Sequence, residues 1–327
     1  MSASHERVTA CSCGGSELGP PIRAFRLGET PFALRRCRRC GRMLLDPRPA
    51  AEALSSSYDD DYYGAGERKF APAIEGVVDW FREGRARQAA ELVARTRGAR
   101  KGAVLDIGCG SGQFLARLVR SGYECHGTEL SPESGKRASA VPGLNLVFGA
   151  LAPGSFAPGA FDLISIWHVL EHLPDPDLVL RLCHGWLREG GALMAAVPNA
   201  GSWQARLFAG AWFHLDPPRH FHHFTRGSME LLLRDAGFRI ESLRTLSWEQ
   251  NVYGILQSAL NAMGFPRDEF YEVLKQNRSV FSSPRLLLEG IVMAALALPA
   301  IVFAIVEALA GRGGTLEIVA RRVEAPR

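Results

Sequence analysis

The chain has 327 residues, 47% of them hydrophobic, and a net charge of +4. That is enough to bury one large α/β core with small additions, and so mild a basicity does not demand a nucleic-acid partner. Met1 to Ala10 lack an apolar run, so no secretory signal is expected, and seven cysteines with two close pairs suit a reducing cytoplasm better than a disulfide framework.

Residues 1–46 carry Cys11-Ser12-Cys13 and, after a short strand-rich stretch, Cys37-Arg38-Arg39-Cys40-Gly41. Two close pairs can set four thiolates tetrahedrally around zinc, although Cys-x-Cys is tighter than the usual half-site. Four thiolates leave no open coordination position, so Cys11, Cys13, Cys37 and Cys40 are expected to hold structural rather than catalytic zinc. The alternative is four reduced, free cysteines. Arg35, Arg36, Arg38, Arg39 and Arg42 make a positive cluster around the pairs. It reads either as a solvated face or as a contact for phosphate-bearing substrate or anionic lipid. Residues 47–99 then form a linker, including the tyrosine-rich stretch 55–64, and an arginine-rich amphipathic helix over 77–97.

The next segment, Val104-Leu105-Asp106-Ile107-Gly108-Cys109-Gly110-Ser111-Gly112, reads as a buried strand running into a glycine turn, with helical apolar spacing from Gln113 to Arg120. Glycines there let backbone approach a ligand closely. The spacing is Gly-x-Gly-x-Gly rather than the dinucleotide Gly-x-Gly-x-x-Gly, and Asp106 precedes the turn. Glu129 ends the next apolar run, where a carboxylate can accept both hydroxyls of a ribose. Further strands are expected near 145–150, 161–167, 191–198, 238–246 and 315–323. The alternation of strands and helices over 100–247, completed by 313–327, implies a parallel sheet with helices on both faces. Ligands in such sheets bind at the carboxyl ends of strands, which gathers Asp106, Glu129, Ala150 and Trp167 around one crevice.

The strand at 161–167 runs into His168-Val169-Leu170-Glu171-His172. Imidazole titrates near neutrality, so His168 and His172 are the candidate bases. His168 is the stronger one, because it leaves the strand facing the crevice; His172 can instead pack or cap ahead of Pro174. The same letters match a zinc-protease His-x-x-Glu-His pattern, but a strand before them and Pro174 and Pro176 after them exclude the sustained helix it needs. A second cluster, Asp216-Pro217-Pro218-Arg219-His220-Phe221-His222-His223-Phe224-Thr225, offers His220, His222 and His223 for substrate or a second metal, or for local hydrogen bonds only. Thr225 is placed to cap the following helix.

Residues 248–312 form a hydrophobic helical insertion. The uncharged run Gly290 to Val306 would rise about 25 Å as a helix, short of the ~30 Å hydrocarbon core, and Pro299 interrupts it. Strands on both sides belong to one sheet, so a single membrane span is excluded. A re-entrant or interfacial hairpin, or a buried helix of a homodimer, remains.

Taken together, the glycine turn with Asp106, Glu129 and the strand ending in Val-Leu-Glu-His resemble the class I S-adenosylmethionine-dependent methyltransferases, in the branch similar to ubiquinone-pathway O-methyltransferases. The resemblance implies a doubly wound, Rossmann-like α/β sheet of seven strands in the order 3-2-1-4-5-7-6, the last antiparallel. It implies S-adenosylmethionine as cofactor, with Gly108, Cys109, Gly110 and Gly112 at its methionine end, Asp106 orienting the turn, Glu129 at the ribose, Leu130 and residues 149–151 at the adenine, and Trp167 at a strand end that touches the cofactor. The family often has an acid where this chain has Gly149-Ala150-Leu151, so backbone is expected to serve the adenine amine. Similar methyltransferases carry a matching His-x-His-His-Phe-Thr segment beside the acceptor. Asp216-Pro217-Pro218 resembles the motif of amino-methylating enzymes but follows the wrong strand, with Arg219 replacing the aromatic, which argues against methylation of nucleic-acid bases. The expected acceptor is a small or lipid-linked molecule taken from the inner face of the membrane by a cytoplasmic, peripheral or re-entrant protein. Two rivals stand beside it: a sugar methyltransferase acting on a nucleotide-linked substrate, suggested by the front end, and a non-catalytic binding module.

Overall fold

The computed structural model describes residues 5–27, 30–49, 72–98, 101–267, 269–274 and 279–323. The tyrosine-rich stretch 55–64 and the tail 324–327 lie outside them. The front end contains β1 (His5–Glu6), β2 (Leu18–Leu27), β3 (Thr30–Cys37), β4 (Met43–Asp46) and β5 (Arg48–Pro49), and α1 (Pro72–Arg97) leads into the large sheet. There follow β6 (Ala103–Ile107), α2 (Gln113–Arg120), β7 (Glu124–Glu129), α3 (Pro132–Ser139), β8 (Leu144–Phe148) and β9 (Phe161–Trp167). Next come α4 (Pro176–Trp186), β10 (Leu187–Pro198), α5 (Trp203–Phe208), β11 (His222–His223), α6 (Arg226–Asp235) and β12 (Phe238–Arg244). The insertion supplies α7 (Trp248–Ala262), α8 (Glu269–Leu274) and α9 (Pro284–Leu309), and β13 (Thr315–Arg322) closes the sheet.

The seven-stranded order is β12-β13-β10-β9-β6-β7-β8, with β13 antiparallel to both neighbours and β6 parallel to β7 and β9. This is the expected doubly wound Rossmann-like sheet. Its central strands are apolar on both faces because each face is covered. Leu105, Ile107, Ile164 and Leu193 pack toward one cluster; Val104, Leu163, Ala192 and Met194 pack toward the other. Burying both faces removes most apolar area from water, at roughly 25 cal/mol per Å². The two edge strands, β8 and β12, are the ones open to solvent.

Two features depart from the sequence reading. The front sheet has four strands in the order β11-β4-β3-β2, so the histidine segment of the catalytic domain completes it. Every residue of β4 is buried, and β11 covers what would otherwise be an unpaired edge. The insertion helix α9 runs 26 residues, beyond the uncharged stretch, because Ser283 accepts from the Leu286 amide and Pro284 suits the first turn. Its rise is about 39 Å, against about 25 Å for its uncharged residues alone, so length does not forbid a span. Arg244 pairs with Glu317, so the insertion leaves and re-enters the sheet at one end, the end that holds the carboxyl termini of the parallel strands.

Candidate active site

The turn after β6 is fixed by backbone. The amides of Gly108 and Cys109 both donate to the Thr128 carbonyl, at 2.9 and 3.0 Å, which clamps the turn against the end of β7. Glu129 follows immediately. Its Oε2 accepts from the Gly110 amide at 2.9 Å, and its Oε1 accepts from the Leu130 and Ser131 amides at 2.8 Å each. Three amides therefore fix the carboxylate before any ligand arrives. The expectation that Asp106 orients the turn fails here: the turn's side-chain acceptor is Glu129. Asp106 instead accepts from Ser165 Oγ at 2.5 Å, across to β9, and burial pushes its carboxyl up to about 7.

These elements border a cavity of about 870 Å³ at the carboxyl ends of β6, β7 and β9. Asp106, Gly108, Cys109, Gly110, Glu129, Leu130, Ala150, Trp167, His168 and His172 all line it. Gly112 does not. It stands at the N-cap of α2 with φ +72°, and a Cβ there would sit 3.0 Å from Leu144 Cδ2 and 3.4 Å from Ala138 Cα. Its glycine serves helix packing rather than ligand approach.

His168 is the first residue beyond β9 and holds φ +55°, a conformation uncommon for a non-glycine residue. Its Nδ1 lies 3.3 Å from Glu171 Oε1, and its Nε2 has no partner. Burial alone would raise Glu171, but the hydrogen bond and positive field of the neighbouring histidines hold it down at about 2. An ionised Glu171 selects the tautomer with the proton on Nδ1, leaving Nε2 to accept. His172 contacts the Arg219 carbonyl at 3.2 Å and is pushed down to about 4, chiefly by burial.

The second histidine cluster is split. His220 packs against His172, ring centroids 4.5 Å apart, and Nδ1 contacts the His214 carbonyl at 2.9 Å. His222 and His223 are β11 itself, buried, each with Nε2 near a backbone carbonyl, of Pro174 and Leu215. None of the three lines the cavity. Ligand atoms of Glu171, His172 and His220 do lie within 4.8 Å of one another, close enough to share a cation.

Arg85 on α1 lines the same cavity and was not identified from sequence. Its guanidinium stacks over Trp167, 4.7 Å from the ring centroid, and pairs with Glu249 of α7 at 3.0 Å. Only the arginine content of the lead-in helix hinted at it.

Beyond the crevice, the four cysteines of the front end converge. Cys11 and Cys40 sulfurs are 3.7 Å apart, Cys13 and Cys37 3.6 Å, and all four ligand atoms fall within 4.8 Å. A Cβ on Gly15 would meet Cys37 Sγ at 2.8 Å, so only glycine lets that turn close over the sulfurs. The donor set fits tetrahedral zinc. Within the arginine cluster Arg36, Arg38 and Arg39 are exposed, but Arg42 departs from the solvated-face reading: it is fully buried, its Nη2 reaches Asp177 Oδ2 at 2.8 Å, and Ser12 Oγ donates to the same oxygen at 2.5 Å.

The methyltransferase-domain family matches residues 81–243. The chain resembles the ubiquinone biosynthesis O-methyltransferase of Xanthomonas euvesicatoria, 28% identical over 158 residues, covering 45% of this chain and 66% of that protein. It also resembles the Chromobacterium violaceum enzyme of the same name, 30% identical over 158 residues, covering 44% and 68%. The chain thus matches about two thirds of the length of these relatives. Among solved structures, an S-adenosylmethionine-dependent methyltransferase from Mesorhizobium loti superposes with a TM-score of 0.44 at 18% identity, covering 71% of this chain and 96% of that one. The chain belongs to the class I S-adenosylmethionine-dependent methyltransferases.

Proposed function

We propose that the protein transfers a methyl group from S-adenosylmethionine to a hydroxyl oxygen of a small or lipid-linked acceptor, with His168 as general base. The observation that carries this is a single cavity lined both by the amide-fixed Glu129 and by His168, whose buried Nε2 has no hydrogen-bond partner. The curated relatives are named as O-methyltransferases of ubiquinone biosynthesis, which supports oxygen as the nucleophile.

The cofactor, when bound, supplies an electrophilic methyl on a sulfonium. Glu129 would accept the ribose hydroxyls and Asp106, in its ionised form, would attract the cofactor's positive charge, while Trp167 backed by Arg85 forms the cavity wall. His168 Nε2 takes the acceptor's hydroxyl proton while Glu171 stabilises the resulting imidazolium. Alignment and exclusion of water do the rest, since the methyl needs no covalent help. Cys11, Cys13, Cys37 and Cys40 would hold structural zinc, which adds no reactivity and fixes the front sheet. Helix α9 supports a membrane-surface location. Its outward residues Leu287, Leu288, Ile291, Leu298, Val302 and Leu309 are exposed and apolar, and its opposite face packs on α7.

The test is transfer of labelled methyl from S-adenosylmethionine into lipid and aqueous extracts, with wild type and His168→Ala. Label in the lipid fraction, lost in the variant, is expected. Label in soluble sugar nucleotides instead would replace this acceptor class with its rival, and absence of transfer despite cofactor binding would favour a binding module.

A further inference from the structure

A second cavity, of about 630 Å³, opens between the front sheet and the catalytic domain. Five arginines line it from five separate segments: Arg23 on β2, Arg36 on β3, Arg206 on α5, Arg226 at the start of α6, and Arg312 after α9. The single acid among the lining residues, Glu230, is already paired with Arg226 at 2.8 Å. Among the described residues no carboxylate pairs with the other four, and Arg23 Nη1 is buried without a hydrogen-bond partner.

Like charges converging on one concavity repel one another unless an anion joins them. Arg36, Arg206 and Arg312 reach the cavity from exposed positions, while Arg23 is half-buried and its Nη1 loses hydration that nothing here replaces. A planar donor fork matches the oxygens of a phosphate, and several forks from different directions match more than one phosphoryl group. We propose that this cavity binds a phosphate or diphosphate group, with Arg23, Arg36, Arg206 and Arg312 as its donors. The site is apart from the cofactor crevice and shares no lining residue with it. It also adjoins the apolar face of the insertion. Leu309, 84% exposed, ends α9 just ahead of Arg312, and Leu207, 64% exposed, follows Arg206. A phosphorylated lipid with its chain along α9 and a soluble nucleotide diphosphate present the same chemistry here.

The experiment titrates the full chain with inorganic diphosphate by calorimetry at low salt, alongside S-adenosylmethionine. Arg206→Gln/Arg312→Gln should weaken diphosphate by about tenfold or more, since charge-assisted hydrogen bonds are lost. Arg120→Gln/Arg181→Gln, outside the cavity, should leave it unchanged. Arg36→Gln, on a different element, should reproduce the weakening and guards against a local folding fault. Cofactor affinity should be equal in all of them. Failure of wild type to bind cofactor would strike the methyltransferase reading while leaving the diphosphate readout intact. Phosphatidylcholine vesicles with and without phosphatidic acid separate the sources. Acid-dependent vesicle binding displaced by diphosphate supports the site with a lipid ligand; diphosphate binding without vesicle competition supports it with a soluble one. Absence of saturable diphosphate binding, or equal loss in the control pair, overturns the proposal.

Discussion

At the scale of single residues, the crevice works through carboxylates whose surroundings pull them apart. Burial holds Asp106 near 7, whereas Glu171 is held at about 2 by hydrogen bonding and positive neighbours despite its burial. On the proposed reading a cationic cofactor favours the ionised form of Asp106, so its affinity should rise with pH through about 7, by at most tenfold per unit. Asp106→Asn should flatten that profile, and an identical slope in the variant would assign the pH dependence elsewhere. The stability consequence has the opposite sign. An acid raised in the folded state keeps its proton there after the unfolded chain has lost it, so Asp106 subtracts stability as pH climbs from about 4 to 7. Glu129→Ala removes a prefixed acceptor for two hydroxyls and should weaken S-adenosylmethionine by roughly ten- to hundredfold; calorimetry checks this. For the base, His168→Ala should lower turnover by about 10²–10⁴ with cofactor affinity nearly intact, and Glu171→Gln should fall in the same direction. On the proposed reading Glu171 acts only through His168, so the double variant should be little worse than His168→Ala. An additive loss would separate their roles.

At the scale of elements, the large sheet was legible because each of its parts announces itself locally: apolar runs of strand length, a glycine turn, acids at strand ends. The order of strands came with the family resemblance. What stayed hidden depends on contacts between distant segments. Strand β11 is two residues long and has no period to read, so its pairing with β4 gave no signal. Arg85 reaches the crevice only because α1 packs beside β9 and α7 brings Glu249 to it. Arg42 looked like one surface arginine among five, yet it is the buried bridge between front end and catalytic domain. Breaking a buried ion pair from one side leaves an unpaired charge, so Arg42→Ala should cost about 3–5 kcal/mol in denaturant unfolding. Replacing both Arg42 and Asp177 with apolar residues of similar volume should recover much of it; failure to recover would point to packing on Phe224, over whose ring Arg42 lies at 5.4 Å. The cysteine cluster joins the same unit. Elemental analysis of protein made without chelator should find about one zinc per chain, and Cys37→Ser should lose it and loosen the front sheet, since metal binding here is folding energy. Zinc-free wild type with an intact front sheet would refute that account.

At the scale of the whole molecule, the carboxyl end of the sheet carries both the crevice and the root of the insertion. Helix α9 is long enough to cross a bilayer, but its setting opposes crossing. Met293, Ala300 and Ala304 pack on Ile255, Leu256 and Leu260 of α7 and its surroundings, and Glu307 accepts from the Gln204 side chain at 2.6 Å and the Gly314 amide at 3.1 Å. A span would strip this helix from α7 and expose buried Glu289 and Glu307 to hydrocarbon. Lying flat costs none of that. The outward face from Leu287 to Leu309 can then sink into the headgroup boundary while the other stays on the protein. Ile291, Leu298 and Val302 are each more than half exposed, at 58%, 70% and 52%. Burying such a side chain is worth about 1 kcal/mol or more, so Ile291→Glu/Leu298→Glu/Val302→Glu should reduce vesicle partitioning by roughly a hundredfold. The cofactor affinity should not change, because the substituted face does not line the crevice. Flotation of wild type with vesicles and of the triple variant without them is the expected pair of results. If wild type stays soluble but sediments as a dimer that the triple variant abolishes, the apolar face belongs to a second copy of the chain and the membrane account is wrong.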